Sequence, residues 1–62
     1  MTPKQLSGYA NLLGEMREKI KPEESDPHAG ALNLAAYYLY SASRVLHRVA
    51  EAKATTEGMN HA

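Results

Sequence analysis

Three of the four tyrosines in this 62-residue chain fall in the stretch YYLYSASRVLHR, residues 37–48, and the chain holds no Phe and no Trp. On a helix, Tyr37, Tyr40, Arg44, His47 and Glu51 follow at steps of three and four and share one face. Arg48 flanks that line, one turn beyond Arg44. An aromatic ring beside a guanidinium and an imidazole suits a planar anion. The ring offers a stacking surface and the cations offer partners for phosphate oxygens, and nucleotides carry both features. The same residue types also serve as anchors at oligomer interfaces. Tyr37, Tyr40 and Arg44 are therefore candidates for either role, whereas Tyr38 points along a different line, with Leu34 and Val45, and is expected to pack.

Two helices must position these groups. Thr2-Pro3-Lys4-Gln5 has the order of a capping box, with Thr2 as N-cap, Pro3 in the first helical position and Gln5 reaching back. Leu6, Tyr9, Leu13, Met16 and Ile20 then recur at helical spacing. Pro22 disfavours helical geometry at Lys21 and ends the run, so the first helix is expected over 3–21. Gly8 and Gly14 weaken it by about 1 kcal/mol each relative to Ala. Such glycines mark a close approach of backbone or ligand, or are simply tolerated by packing. Glu23-Glu24-Ser25-Asp26-Pro27 forms an acidic turn, with Asp26 as N-cap and Pro27 opening a second helix over 27–54. His28, Glu24 and Asp26 lack any metal-ligand spacing. The second helix carries one stripe, Leu32, Ala35, Leu39, Ala42, Leu46 and Val49, and a second line, Ala31, Leu34, Tyr38 and Val45, beside it.

The apolar surface of this helix is wider than one short partner covers. At 1.5 Å per residue the helices span roughly 28 Å and roughly 42 Å, so Val45, Leu46 and Val49 lie toward an overhang. The expected fold is all-α. It is an antiparallel two-helix hairpin over 1–54 with a short acidic, Pro-containing turn and a disordered tail at 55–62, assembling into a homo-oligomeric helical bundle.

Composition narrows the function. With seven basic and seven acidic residues the formal net charge is zero, so the chain attracts no generic polyanion, and no long nucleic acid is expected as a partner. Glu15, Glu18 and Glu51 interrupt any basic face. There is no Cys, hence neither a disulfide nor a thiolate metal site, as suits a reducing cytosol. No apolar run approaches a membrane span and the N-terminus lacks the order of a signal peptide. There is no G-x-S-x-G, no Gly-rich phosphate loop and no H-E-x-x-H. No catalytic residue, metal site or cofactor is expected, and the chain reads as a non-enzyme. A chain this small needs a staple, and self-association is the one left open.

The run Leu34-Ala35-Ala36-Tyr37-Tyr38-Leu39-Tyr40-Ser41-Ala42, continuing to Val49-Ala50, resembles the helical-hairpin domain of small phage proteins that sequester cyclic nucleotide signals, the anti-CBASS and anti-Thoeris sponges. Gln5, Tyr9 and the turn from Pro22 to Pro27 occupy corresponding places. The resemblance covers most of residues 3–52. The chain departs from that pattern at Tyr40-Ser41 and Val45-Leu46-His47, where the family carries acidic residues and an aromatic-Ala-Asn stretch. The resemblance implies a symmetric oligomer in the bacterial cytoplasm that holds cyclic di- or trinucleotides between protomers and returns them intact. It implies Tyr9 as the stacking residue of the first helix. By chemistry, Lys19, Lys21, Arg44 and Arg48 are the candidate phosphate partners, beside Tyr37, Tyr40 and His47. The competing expectation is a small helical homo-oligomer that binds a host protein or, less in keeping with its charge pattern, RNA.

Overall fold

The computed structural model describes the backbone of residues 1–60 and the side chains of residues 1–56. It contains two helices, α1 (Pro3–Lys19) and α2 (Ala29–Asn60), and no strand among the described residues. They form an all-α hairpin 56 Å long and 13 Å across. The capping box is formed in full. The Gln5 amide donates to Thr2 Oγ1 at 3.1 Å and the Thr2 amide donates to Gln5 Oε1 at 2.9 Å. α1 stops at Lys19, two residues before the expected end: Ile20 is already extended (φ −86°, ψ 94°) and its amide donates to the Arg17 carbonyl, one residue ahead of the Lys21 position that Pro22 restricts.

The turn winds tighter than expected before α2 begins. The Asp26 carboxylate accepts from the His28 amide at 2.8 Å, and the Asp26 carbonyl accepts from Ala29. Asp26-Pro27-His28-Ala29 is thus a β-turn with Pro in its second position. The helix itself starts at Ala29, not at Pro27. At the other end α2 continues past Ala54 to Asn60. Residues 55–60, expected to be disordered, are therefore helical in backbone, and Thr55 and Thr56 donate back to the Glu51 and Ala52 carbonyls. Residues 61 and 62 of that expected tail lie outside the described residues. No helix among the described residues is long and apolar enough to cross a membrane.

The seam between the helices is made of small side chains. Ala10, Ala50 and Leu6 are buried, and among the described residues Ser43 is the buried polar one. The Ser43 hydroxyl donates to the Ala10 carbonyl at 2.8 Å, which fixes the register of one helix on the other. Ala36, Ser43 and Ala50 recur at seven-residue spacing on α2, as Pro3, Ala10 and Arg17 do on α1. This corrects the expected packing. The stripe Leu6-Tyr9-Leu13-Met16-Ile20 does not turn inward as a whole, since Tyr9 and Met16 are exposed. On α2 only Leu39 and Leu46 of the expected stripe are half-buried, while Leu32, Ala35, Ala42 and Val49 are exposed.

Helix geometry sorts the remaining residues onto two flanks. At about 100° per residue, Leu13, Tyr9 and Met16 lie round one side of α1 from Ala10, and Gly14, Ser7, Glu18 and Asn11 round the other. From Ser43 on α2, Leu39, Leu46, Ala35, Ala42 and Val49 lie round one side, and His47, Tyr40, Asn33, Arg44 and Tyr37 round the other. In an antiparallel pair the same sense of rotation falls on the same flank. The hairpin therefore has an apolar flank and a polar flank. The overhang explanation for Val45, Leu46 and Val49 is likewise corrected. Ala50 and Ala54 lie beside Pro3 and Lys4 of α1, so Val45 and Val49 are exposed because of the direction they face, not because α1 is too short to reach them.

Candidate functional site

The polar flank carries the expected aromatic and basic groups, and both helices contribute. Tyr40 projects next to the seam, 39% exposed. The Arg17 guanidinium carbon lies 4.7 Å from the centre of its ring, and that of Arg44 lies 5.7 Å away. Arg17 comes from the last turn of α1, where a cation also complements the helix C-terminus. Arg44 reaches Tyr40 from one turn along α2. A guanidinium against a ring keeps its N–H edges free to meet an anion.

Beside this cluster lies an open cavity of about 430 Å³ lined by Arg17, Glu18, Ile20, Lys21, Asn33, Ala36, Tyr37 and Tyr40. Its floor is the small side chain of Ala36, and its walls are the end of α1 and the two tyrosines. Arg17 and Lys21 supply positive charge and Glu18 offsets part of it. A second groove of about 390 Å³ continues along the same flank between Asn11, Gly14, Glu15, Glu18, Ser43 and His47.

Of the residues singled out from sequence, Lys21, Tyr37, Tyr40 and Arg44 come together here. His47 is on the same flank but further along, in the second groove. Tyr9 is not part of the cluster. It is 50% exposed, and it lines a shallow depression with Gln5, Gly8, Asn11, Leu12 and Glu15 on the outer side of α1. Lys19 and Arg48 are exposed and line none of these cavities. Tyr38, expected to pack, is 62% exposed; its nearest aromatic neighbour is Tyr37, with ring centres 6.0 Å apart and tilted by 59°. Sequence reasoning missed Arg17. The signal lay in pairing: once Ala10 faces Ser43, an antiparallel hairpin sets Arg17 opposite Ala36, one turn from Tyr40.

The glycines are not explained by the hairpin. A Cβ on Gly8 would meet open space, and one on Gly14 would touch only Ser43 Oγ at 3.9 Å, an ordinary contact. Among the described residues no group of three or more His, Asp or Glu is placed to hold a metal ion. Protein-family models, curated proteins and solved structures were all compared with the chain, and none matches.

Proposed function

We propose that the chain is a non-catalytic binding protein whose polar flank takes a phosphate-bearing nucleotide. Cyclic di- or trinucleotide messengers are the ligand class, and sequestration of the intact messenger during phage evasion of bacterial immunity is the role. The observation that carries the reading is Tyr40, which lines the cavity and has the Arg17 and Arg44 guanidiniums 4.7 and 5.7 Å from its ring centre. In this reading a base stacks on Tyr37 or Tyr40 and the phosphate oxygens meet Arg17, Lys21 and Arg44. Glu18 is set to receive an exocyclic amino group. No nucleophile paired with a base enters the proposal, so the ligand leaves unchanged.

Calorimetric titration with cyclic di-adenosine monophosphate, cyclic di-guanosine monophosphate and a cyclic tri-adenylate, with their linear forms as controls, tests it. Arg17→Ala should weaken binding by about 1.5–3 kcal/mol, the range for a hydrogen bond to a charged group. Chromatography of the ligand after denaturation should return the cyclic form. A linear product identifies an enzyme and ends the proposal, as does the absence of binding across the panel. Stoichiometry by native mass spectrometry separates a ligand held in one hairpin from one held between protomers.

A host-protein binder is the second reading, favoured by the extent of the exposed apolar flank. An RNA binder is less well supported. Glu18 sits within the basic cluster and Glu51 beside Lys4, so the positive groups form no continuous track.

A further inference from the structure

We infer that the apolar flank is the seam of a homodimer in which two hairpins pack face to face about a two-fold axis into a four-helix bundle, leaving both polar flanks on the outside. The hairpin by itself has too little core. Among the described residues its buried apolar side chains are Leu6, Ala10 and Ala50, and no large side chain is fully buried. Meanwhile Leu13, Leu39 and Leu46 are only half-buried along the floor of the apolar flank, with Tyr9 and Met16 on one rim and Ala42 and Val49 on the other.

Area gives the scale. A compact monomer of 6.8 kDa would expose about 4000 Å². This chain exposes 4966 Å². The excess of roughly 1000 Å², part of which belongs to the end of α2 beyond α1, is on the scale of the roughly 800 Å² that each partner buries in a standard interface.

Charge selects a second copy as the occupant. Apart from Lys53 at its end, the residues of the apolar flank, Leu13, Leu39 and Leu46 with Tyr9, Met16, Ala42 and Val49, carry no charge, so this face offers little for an oppositely charged partner to match. The formal net charge of zero means that two copies do not repel. A two-fold axis sets each half of the flank against its own equivalent, so an uncharged apolar surface is complementary to itself. Lys53, half-buried at the end of the flank, lies where its stem covers apolar surface and its ammonium reaches water.

The test is sedimentation equilibrium across a concentration series, with circular dichroism at each concentration. The wild-type chain should sediment at twice the chain mass, and its melting temperature should rise with concentration. Ala42→Glu changes a side chain that is exposed in the single hairpin. It should raise the dissociation constant about tenfold or more, because the carboxylate is buried in the dimer. Asn11→Glu, on the polar flank, should change it by less than about twofold, as surface substitutions do. If Ala42→Glu unfolds the chain instead, loss of helix only for this variant supports the same seam, since no neighbour within the hairpin is disturbed. A wild-type chain that is monomeric and fully helical at about 100 µM would overturn the inference, because a hairpin with this core is not expected to fold alone. Equal effects of the two substitutions would overturn it as well. Neither residue lines the tyrosine cavity, so the outcome is independent of nucleotide binding.

Discussion

The two flanks of the hairpin are built from the same helices and meet at the same seam, yet they are opposite in chemistry. On one, Leu13, Leu39 and Leu46 make a half-covered floor with Tyr9, Met16 and Val49 at its rims. On the other, Arg17, Tyr37 and Tyr40 line a cavity with Ala36, and Arg44 lies against the Tyr40 ring. The difference arises from the residues between them. Ala10, Ser43 and Ala50 bring the helices close, and Leu6 is the large side chain buried with them. Among the described residues most other bulky groups lie on one flank or the other, and sequence decides which, while Leu12, Leu34 and Val45 are exposed on the backs of the helices. The lesson is that a strong amphipathic pattern shows where apolar groups lie on a helix, not which neighbour covers them.

The comparison breaks most severely at Leu46. Leu46→Lys places an ammonium on the floor of the apolar flank and removes a packed side chain. It should cost about 3 kcal/mol or more and abolish both assembly and helix content by sedimentation and circular dichroism. A smaller effect of opposite sign is expected at Gly8. With open space around its Cα, Gly8→Ala should stabilise α1 by about 0.5–1 kcal/mol. A thermal melt that falls instead would show another chain lying against that glycine and would extend the apolar seam to it. The smallest effect on folding belongs to the polar flank. Arg44→Ala should shift stability by no more than about 1 kcal/mol, the scale of an exposed cation–π contact. Its consequence should appear in nucleotide affinity. A melting temperature that moves together with oligomer mass would mean that Tyr40 and Arg44 belong to an interface between copies.

Much of the fold was legible. The Thr2 capping box, the Pro22 stop and the acidic turn each rest on local chemistry that operates within a few residues, and each appears close to where sequence places it. The faces were harder. Leu and Tyr outrank Ala and Ser in any hydrophobic pattern, so the small residues that form the seam carry almost no signal. Ser43 is the clearest case: its hydroxyl reads as a surface group until the Ala10 carbonyl is seen 2.8 Å away. In the site, Tyr37, Tyr40 and Arg44 were recoverable because they lie on one helix. Arg17 was not, because its place beside Tyr40 depends on the register between helices. The extension of α2 to Asn60 escaped because Thr and Glu on a solvated helix leave no apolar period to read.

The seven-residue spacing of Ala36, Ser43 and Ala50, matched by Pro3, Ala10 and Arg17, has a geometric outcome beyond register. A straight α-helix drifts by about 20° per heptad from such a repeat, so holding Ala36, Ser43 and Ala50 against α1 along its length calls for the two helices to wind gently round each other in a left-handed sense. That winding turns the two flanks with it. Tyr37 near the turn and Glu51 toward the open end, though on one line of α2, need not look in quite the same direction, and a long rigid partner laid along either flank would have to coil with the hairpin to stay in contact. A compact ligand confined to the Tyr40 end faces no such demand.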